Sequence, residues 1–437
     1  MVIVELLIRL IHENKAPPIY CWIEKPWRNI NIRRKRVYQQ LKLNQPQLMD
    51  IAFQFADRVH EGLKAENREI KCLPTYIPVK NGYRNGTSYV LDLGGSKVRA
   101  GIVTVTNQQY SFEDSSGEKV MPWKRGIPFD KKSYLEILAK LLESIAQVEP
   151  LPLGFCFSYP SRSDFGRDTT LLQWTKGVIV PDTEGKKMGK MLLDYMSKQK
   201  KRFNCNRIAV INDTVASLFA SLTGSKSDCQ IGLVVGTGNN MASFFNSTIL
   251  EKLSPSYNLE YDVPVNLESG NFTPPFLTEW DKAIDTQSTN PGCQRMEKAV
   301  SGAYLGRIFK AVFPESHFSI TSEAKELVNL LNNREDYPEE WIRVAQMIYF
   351  RSASLVAATL AGLISIQCKT QSAKTFKIIA EGGLFWSQLQ GEYLYSERIK
   401  TTLFQLLKAM DLSFVKVELV RIENANLVGS ALAALTP

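Results

Sequence analysis

Apolar positions along the chain follow two periods, and the places where one gives way to the other outline the fold. Tyr89-Val90-Leu91 and Val98 through Val105 are β-rich runs, and Asp92-Leu93-Gly94-Gly95-Ser96 lies between them. A Gly-Gly pair in that position predicts a hairpin, because glycine alone reaches positive φ without steric cost. Helical spacing appears at Leu48, Ile51, Ala52, Ala56, Val59 and Leu63, and again at Leu135, Leu138, Leu141, Leu142 and Ile145. It predicts amphipathic helices over 48–63, ending near Gly62, and over 134–148. Residues 153–157, 208–211 and 376–380 are short apolar runs that read as strands, and 215–222 reads as a helix following the second of them. Residues 352–368 carry no charge and are rich in Ala, Ser and Leu. That length predicts a buried core helix rather than a bilayer span.

Glycine turns recur at the ends of these strands. The second is Val235-Gly236-Thr237-Gly238-Asn239-Asn240 and the third is Glu381-Gly382-Gly383. A turn without side chains lets backbone N–H groups approach a phosphate, and Ser96 adds a hydroxyl donor to the first. Asp92, just before that turn, is placed to hold Mg²⁺ through water. A plain hairpin with an Asp cap accounts for the first turn equally well. The first two turns lie well over a hundred residues apart, which suits two half-domains closing on one nucleotide. Neither G-x-x-x-x-G-K-[ST] nor the kinase-type G-x-G-x-x-G is present. No internal sequence repeat is evident, although three strand–glycine-turn units suggest a duplicated fold.

Charge changes this picture little. Of the net +9 in 437 residues, most sits in residues 1–45, which hold nine Lys/Arg against three Asp/Glu. That argues against a nucleic-acid partner for the folded body. Arg33-Arg34-Lys35-Arg36 reads as part of a solvated, poorly ordered extension. The segment 1–11 is too short and too interrupted for a membrane span, and lacks the regions of a signal peptide. Seven scattered cysteines without a C-x-x-C pair read as reduced thiols of a cytoplasmic protein. His12, His60 and His317 stand apart from one another and from any cysteine. Zinc chemistry and a Ser-His-Asp relay are therefore not indicated, no metal-ligand cluster is expected, and acid–base work falls to carboxylates or lysines.

Polar groups gather in loops after apolar runs. Phe157-Ser158-Tyr159-Pro160 and Leu172-Gln173-Trp174-Thr175-Lys176-Gly177 offer hydroxyls and a lysine, Lys176, that would be unstable buried unless paired. Asp213, in Asn212-Asp213-Thr214, is either a helix cap or a general base aimed from a strand end into a cleft, and spacing does not decide which. Glu268 and Glu297 each lie beside loop residues and, taken singly, read as surface charges.

Taken in order, the motifs resemble the hexokinase family of the actin-like ATPase superfamily. They are LPTY (73–76), LDLGGSKVR (91–99), GFCFSYP (154–160), LLQWTKG (171–177), INDT (211–214), VGTGNN (235–240), NLESGNF (266–272), LTEWD (277–281), NPGCQ (290–294) and EKAVSGAYLG (297–306). The match runs from about residue 48 to 435. The resemblance implies two actin-like (ribonuclease H-like) α/β domains, each a mixed sheet with flanking helices, closing on a deep cleft. The small domain would be 86–212 and the large domain 46–85 with 213–437, after a basic extension, 1–45. The C-terminal helix would pack back on the small domain.

By the same resemblance Ser158, Thr175, Lys176, Asn212, Asp213, Asn240, Glu268 and Glu297 would line a hexose site. Amides and carboxylates suit a ring of hydroxyls, each both donor and acceptor. Asp213 would accept the proton of the sugar 6-hydroxyl as it attacks the γ-phosphoryl of ATP, and Lys176 would neutralise charge beside it. Asp92, Gly94, Gly95, Ser96, Arg99, Gly236, Thr237 and Gly238 would hold the phosphates with Mg²⁺, and Gly382 and Gly383 would flank the adenosine. The implied protein is a cytoplasmic ATP-dependent hexose kinase, monomeric or homodimeric, at the entry to glycolysis. Glucose would be its first candidate substrate, ahead of mannose and fructose. The rival is a sugar-binding regulatory protein on the same fold.

The sequence departs from the family pattern at Ser96 (usually Thr), Lys97 (usually Asn), Ser269 (usually aromatic) and Gly383 (usually Ser). Asn424-Ala425-Asn426-Leu427-Val428-Gly429 stands where a GSGKG run is usual. Lys97 would add a positive charge beside the phosphates.

Overall fold

The computed structural model describes residues 32–77, 79, 82–95, 97–122, 129–175, 178–224, 226–253 and 262–437. The chain divides into two compact units, 1–40 and 41–437. Arg33 to Arg36, expected to be poorly ordered, lie instead in helix α1 (Ile32–Leu41). The second unit begins with α2 (Gln45–Lys64), which starts three residues ahead of its first apolar position. Its start is set by a capping box: Gln47 N–H donates to Asn44 Oδ1 (2.9 Å) and Asn44 N–H to Gln47 Oε1 (3.0 Å). Periodicity registers only the buried face, so it misses such polar first turns.

A five-stranded sheet follows, built from β2 (Gly86–Leu93), β3 (Lys97–Thr106), β4 (Gln109–Val120), β5 (Leu151–Phe157) and β8 (Cys205–Ile211), in the order β4-β3-β2-β5-β8. A small ribbon of β6 (Ser161–Ser163) and β7 (Thr169–Leu171) lies beyond β5. The six-stranded sheet takes β1 (Leu73–Pro74), β9 (Cys229–Val235), β10 (Asn239–Asn246), β11 (Asp262–Asn266), β12 (Thr375–Glu381) and β13 (Lys416–Val420), in the order β1-β11-β10-β9-β12-β13.

Apart from β1, the two sheets have one plan. In each, an antiparallel meander of three strands is followed by two strands added in parallel to the first: β2 with β5 and β8, β9 with β12 and β13. The duplication that sequence comparison within the chain did not show is therefore present in topology. Each last strand leads into a helix, α5 (Asp213–Ala220) after β8 and α12 (Ala425–Leu435) after β13. These helices cross over: α5 packs on β9 and β10, whereas α12 packs on β2 and β5, and the two lie against each other.

That central layer is thin because glycine stands at each contact. A Cβ on Gly154 of β5 would lie 2.1 Å from Ser430 O of α12. One on Gly429 of α12 would lie 1.7 Å from Ala216 O of α5, and one on Gly232 of β9 would lie 2.2 Å from Thr214 O. Real Cβ contacts do not reach such distances, so helices and sheets meet backbone to backbone.

The remaining helices surround the sheets: α3 (Lys131–Glu143), α4 (Met188–Lys198), α6 (Glu279–Gln287), α7 (Arg295–Val300), α8 (Gly302–Val312), α9 (Ala324–Asn332), α10 (Glu339–Gln371) and α11 (Leu394–Ala409). Helix α3 runs over 131–143 rather than 134–148. Asp130 caps its start (Ser133 N–H to Oδ1, 2.7 Å), and Ser144 Oγ–H donates back to Leu141 O (2.7 Å) where it ends. The charge-free stretch 352–368 lies in α10. By length and composition α10 alone among the described helices could cross a membrane, but 89% of its apolar window is buried inside the protein. Two buried ion pairs tie this half together. Arg351 of α10 grips Asp281 (Nη2–Oδ2 2.7 Å, Nη1–Oδ1 3.3 Å). Lys298, 2% exposed, satisfies its ammonium on Asp285 Oδ1 (2.6 Å), Ser288 Oγ (2.8 Å) and Asn290 O (2.8 Å). The second pair fixes the loop that leads into α7, and with it the position of Glu297.

Candidate active site

The parallel strands β2, β5 and β8 align Asp92 with Cys156 and Cys156 with Ile211, so Asp92, Ser158, Asn212 and Asp213 all stand at carboxyl ends of neighbouring strands. Ligands of open α/β sheets bind at such ends. Asn212, not Asp213, is the helix cap, its Oδ1 accepting from Thr214 N–H (3.0 Å). Asp213 is the first residue of α5, and its Oδ1 accepts from Thr214 N–H (2.8 Å) and the Thr214 hydroxyl (3.2 Å). Its Oδ2 takes no hydrogen bond among the described residues. One oxygen is thus held and the other left for a ligand, at the N-terminus of a helix.

Ser158 is buried, its N–H donating to Leu93 O (3.2 Å). Thr175 is half-buried in a loop anchored by the preceding Trp174, whose ring meets Tyr159 at 4.6 Å and whose Nε1–H donates to Thr183 Oγ1 (2.7 Å). Tyr159 Oη–H in turn donates to Gly94 O (3.3 Å), tying that loop to the first glycine turn. Lys176 and Ser96 lie outside the described residues.

The six-stranded sheet supplies a second polar wall. Asn240 Nδ2–H donates to Asn266 Oδ1 (2.8 Å), and Asn266 Nδ2–H donates to Glu268 Oε1 (2.8 Å). Asn240 Oδ1 accepts from the N–H of Met241 (2.8 Å) and of Ser269 (3.1 Å). Ser269 is fully buried, and the small side chain lets its backbone close this ring. Glu297 Oε2 accepts from Asn239 N–H (3.1 Å) and lies against the second glycine turn, where a Cβ on Gly238 would come within 2.7 Å of it. Glu268 (φ 56°) and Gln294 (φ 52°), at the loops that present these carboxylates, take left-handed backbone. Such strain, about 1–2 kcal/mol per residue, is kept where geometry matters. Asn266 belongs to the NLESGNF motif, but its amide became a site residue only through space. Asn239 was also missed; its buried amide has no described hydrogen-bond partner.

The glycine turns stand at strand ends of both sheets, the first after β2, the second between β9 and β10 and the third after β12. The first closes on itself, Gly94 N–H to Lys97 O (3.0 Å), with Gly95 at its tip. The second closes through Gly236 N–H to Gly238 O (2.9 Å), and its Gly236 and Thr237 carbonyls accept from Gly302 (2.6 Å) and Ala303 (3.3 Å) at the start of α8. The third meets the second. Gly382 has φ +113°, and a Cβ there would lie 2.2 Å from Val235 O, whereas one on Gly383 would meet open space. Lys97 closes the first turn through its carbonyl, and its ammonium pairs with Glu118 on the neighbouring strand.

Arg99 links the two sheets. Its Nε–H and Nη2–H reach Asp92 Oδ2 (3.0 Å each), and its Nη1–H reaches Asn424 Oδ1 (2.5 Å) at the start of α12. Asp92 is buried, which raises its pKa against the lowering effect of Arg99, and its Oδ1 has no hydrogen-bond partner among the described residues. Glu381, at the end of β12, is pushed up to about 7 by burial, against the lowering effects of Arg99 and the Ala425 N–H. Neither Glu381 nor Asn424 was singled out from sequence. Their roles come from contacts across hundreds of residues, which no local pattern carries.

Two family models, both described as Hexokinase, match this chain, one over residues 33–223 and the other over 230–334 and 314–436. The chain belongs to the hexokinase family. Hexokinase-2 of Homo sapiens is 31% identical over 297 residues, 64% of this chain and 31% of that protein. Hexokinase-1 of Saccharomyces cerevisiae is 29% identical over 286 residues, 61% of this chain and 58% of that protein. The match thus spans less than two thirds of either relative's length. A hexokinase from Schistosoma mansoni, solved with glucose, superposes with a TM-score of 0.75 at 23% identity, over 93% of this chain and 99% of that one. A second hexokinase crystal structure gives 0.73 at 22% identity, over 92% and 98%. These two likenesses establish the two-sheet hexokinase fold. Within the family pattern, the NANLVG segment of this chain places Asn424 (φ 56°) where its side chain meets Arg99.

Proposed function

We propose that the chain transfers the γ-phosphoryl of ATP to the 6-hydroxyl of a hexose, glucose first among candidates. Asp213 carries this reading: a carboxylate with one oxygen fixed and one unused, at a helix N-terminus, between an amide–carboxylate wall suited to hydroxyls and glycine turns suited to phosphates. Bound hexose would be held by Asn240, Glu268 and Glu297 with Ser158, Thr175 and Asn212, and Asp213 would take the 6-hydroxyl proton. Lys176 is proposed to neutralise charge there. The nucleotide would lie along Gly94, Gly95, Ser96, Gly236, Thr237 and Gly238, with its adenosine by Gly382 and Gly383. The Oδ1 of Asp92, without a hydrogen-bond partner among the described residues, fits a water carried by Mg²⁺, and Arg99 works against the burial that raises that carboxyl's pKa. When bound with ATP, Mg²⁺ would supply neutralisation of phosphate charge. We place the protein in the cytoplasm as a monomer or homodimer; the six described cysteines are free thiols, in keeping with that setting.

The test is a coupled assay for hexose 6-phosphate with Mg-ATP and glucose, on wild type and Asp213→Ala. Turnover by wild type, with a fall of about 10²–10⁴-fold in the variant while it still binds sugar, supports the kinase and its base. Sugar binding without product at millimolar ATP would replace the kinase by a sugar-sensing protein. Absence of sugar binding would remove both.

A further inference from the structure

A second concave site lies at the other end of the five-stranded sheet. A cavity of about 320 Å³ is lined by Arg84, Asn85, Pro152, Asn206, Arg207 and Leu435. Arg84 and Asn85 precede β2, Pro152 opens β5, Asn206 and Arg207 open β8, and Leu435 ends α12. At the rise of a strand, eight residues separate Arg84 from Asp92 by roughly 25 Å, so this is not the catalytic cleft.

Its charge is one-sided. Arg84 and Arg207 both line the cavity, and the pKa of Arg207 is lowered by burial first and then by the fields of Arg167 and Arg84. Among the described residues no acidic side chain pairs with Arg84 or Arg207. Capping the carbonyl end of α12 accounts for only part of the cluster: Arg167 donates to Thr436 O (2.8 Å) and Pro437 O, and the backbone N–H of Arg84 donates to Leu435 O (3.1 Å). The guanidinium groups of Arg84 and Arg207 have no such task. Arg84 and Arg207 thus face one cavity with like charge, and an anion between them would turn their repulsion into attraction.

We propose that this cavity binds a compact phosphate dianion, either inorganic phosphate or the phosphate of a small monoester, between Arg84 and Arg207. A guanidinium fork matches two phosphate oxygens at once. The amides of Asn85 and Asn206 provide donors and acceptors for the hydroxyls of an ester, and Pro152 and Leu435 give an apolar floor. The volume lies at the small end of ligand sites, which suits a phosphate with at most a small polar group.

The experiment is equilibrium dialysis of radiolabelled inorganic phosphate at fixed ionic strength, on wild type, Arg84→Gln, Arg207→Lys and Arg84→Gln/Arg207→Gln. Wild type should show a component of one phosphate per chain, at least ten-fold weaker in the double variant and intermediate in the two single ones. Arg84 is exposed, so its single variant keeps the test valid if the double one is unstable. Phosphate held by the glycine turns would remain in every variant and be displaced by Mg-ATP, which separates the two sites. Competition by a hexose 6-phosphate distinguishes the sources: displacement more than ten-fold tighter than by phosphate itself assigns the site to an ester, and equal displacement to the free ion. Binding unchanged by all the substitutions, or no component at one per chain, would overturn the proposal. So would an acidic peptide that binds with loss in the same variants when phosphate does not.

Discussion

The junction of β8 with α5 and the junction of β13 with α12 occupy equivalent places in a duplicated plan, yet they are put to opposite uses. At the first, Asn212 has extended backbone and its side chain caps the helix, so Asp213 behind it keeps one oxygen unengaged. At the second, Asn424 is left-handed and makes no cap; its side chain turns to Arg99 on the other sheet. The difference teaches that one supersecondary unit can present chemistry or bind two sheets together, depending on where a single asparagine side chain goes. The half that caps itself leaves a reactive group for a ligand. The other uses its polar groups internally and builds a charged cluster from Asp92, Arg99 and Glu381.

The largest expected effect strikes the first junction. Asp213→Asn keeps the shape and the contact with Thr214 N–H but removes the proposed base, so kcat should fall about 10²–10⁴-fold with KM for the hexose changed only a few-fold. A rate within ten-fold of wild type would put the base elsewhere. Next, Arg99→Met breaks the second junction and leaves Asp92 buried without its cation. Unfolding in urea should show a loss of roughly 3 kcal/mol at pH 7, whereas an unchanged midpoint would show that Arg99 does not hold the sheets.

A third test uses pH. Glu381 has a folded pKa of about 7, above its usual range, so the folded state retains a proton that the unfolded chain has released. Its contribution to stability is therefore greatest at low pH and is lost as pH rises towards 7. Glu381→Gln should gain over wild type across that window, by on the order of 2–3 kcal/mol at pH 8 and little at pH 4. Parallel stability–pH curves would contradict it. Smallest is Asn212→Ala, which removes the cap of α5 and should destabilise by about 1 kcal/mol in thermal or urea unfolding, with a modest loss of kcat as Asp213 shifts.

Much of the fold was legible in sequence because strands, glycine turns and helix faces leave periodic marks. Gly94-Gly95 was found as a hairpin, and residues 352–368 as core, from local pattern alone. Ends were less legible: Asn44 and Asp130 start helices on polar residues that periodicity does not weigh. The amide–carboxylate wall was partly readable, since Asn240 and Glu268 lie in motifs. Asn266, which hydrogen-bonds to both, gained its role only when β10 and β11 came together. The pairing of Lys97 with Glu118 was not legible, because the sequence near Lys97 does not show which residue of the adjacent strand faces it. Glu381 and the arginine cavity were invisible for the same reason: their partners come from distant parts of the chain.

The contacts at Gly154, Gly429 and Gly232 also bear on how the chain can vary. Side chains in a core can exchange volume with their neighbours, but backbone touching backbone has nothing to exchange. A survey of random variants should therefore show three positions, distant in sequence and away from the cleft, that admit one residue type. Together they trace a line of intolerance from one sheet to the other through α12 and α5. Along that line, drift in either half is constrained by the backbone of the other, so the two copies of an ancient plan can diverge everywhere except where they touch.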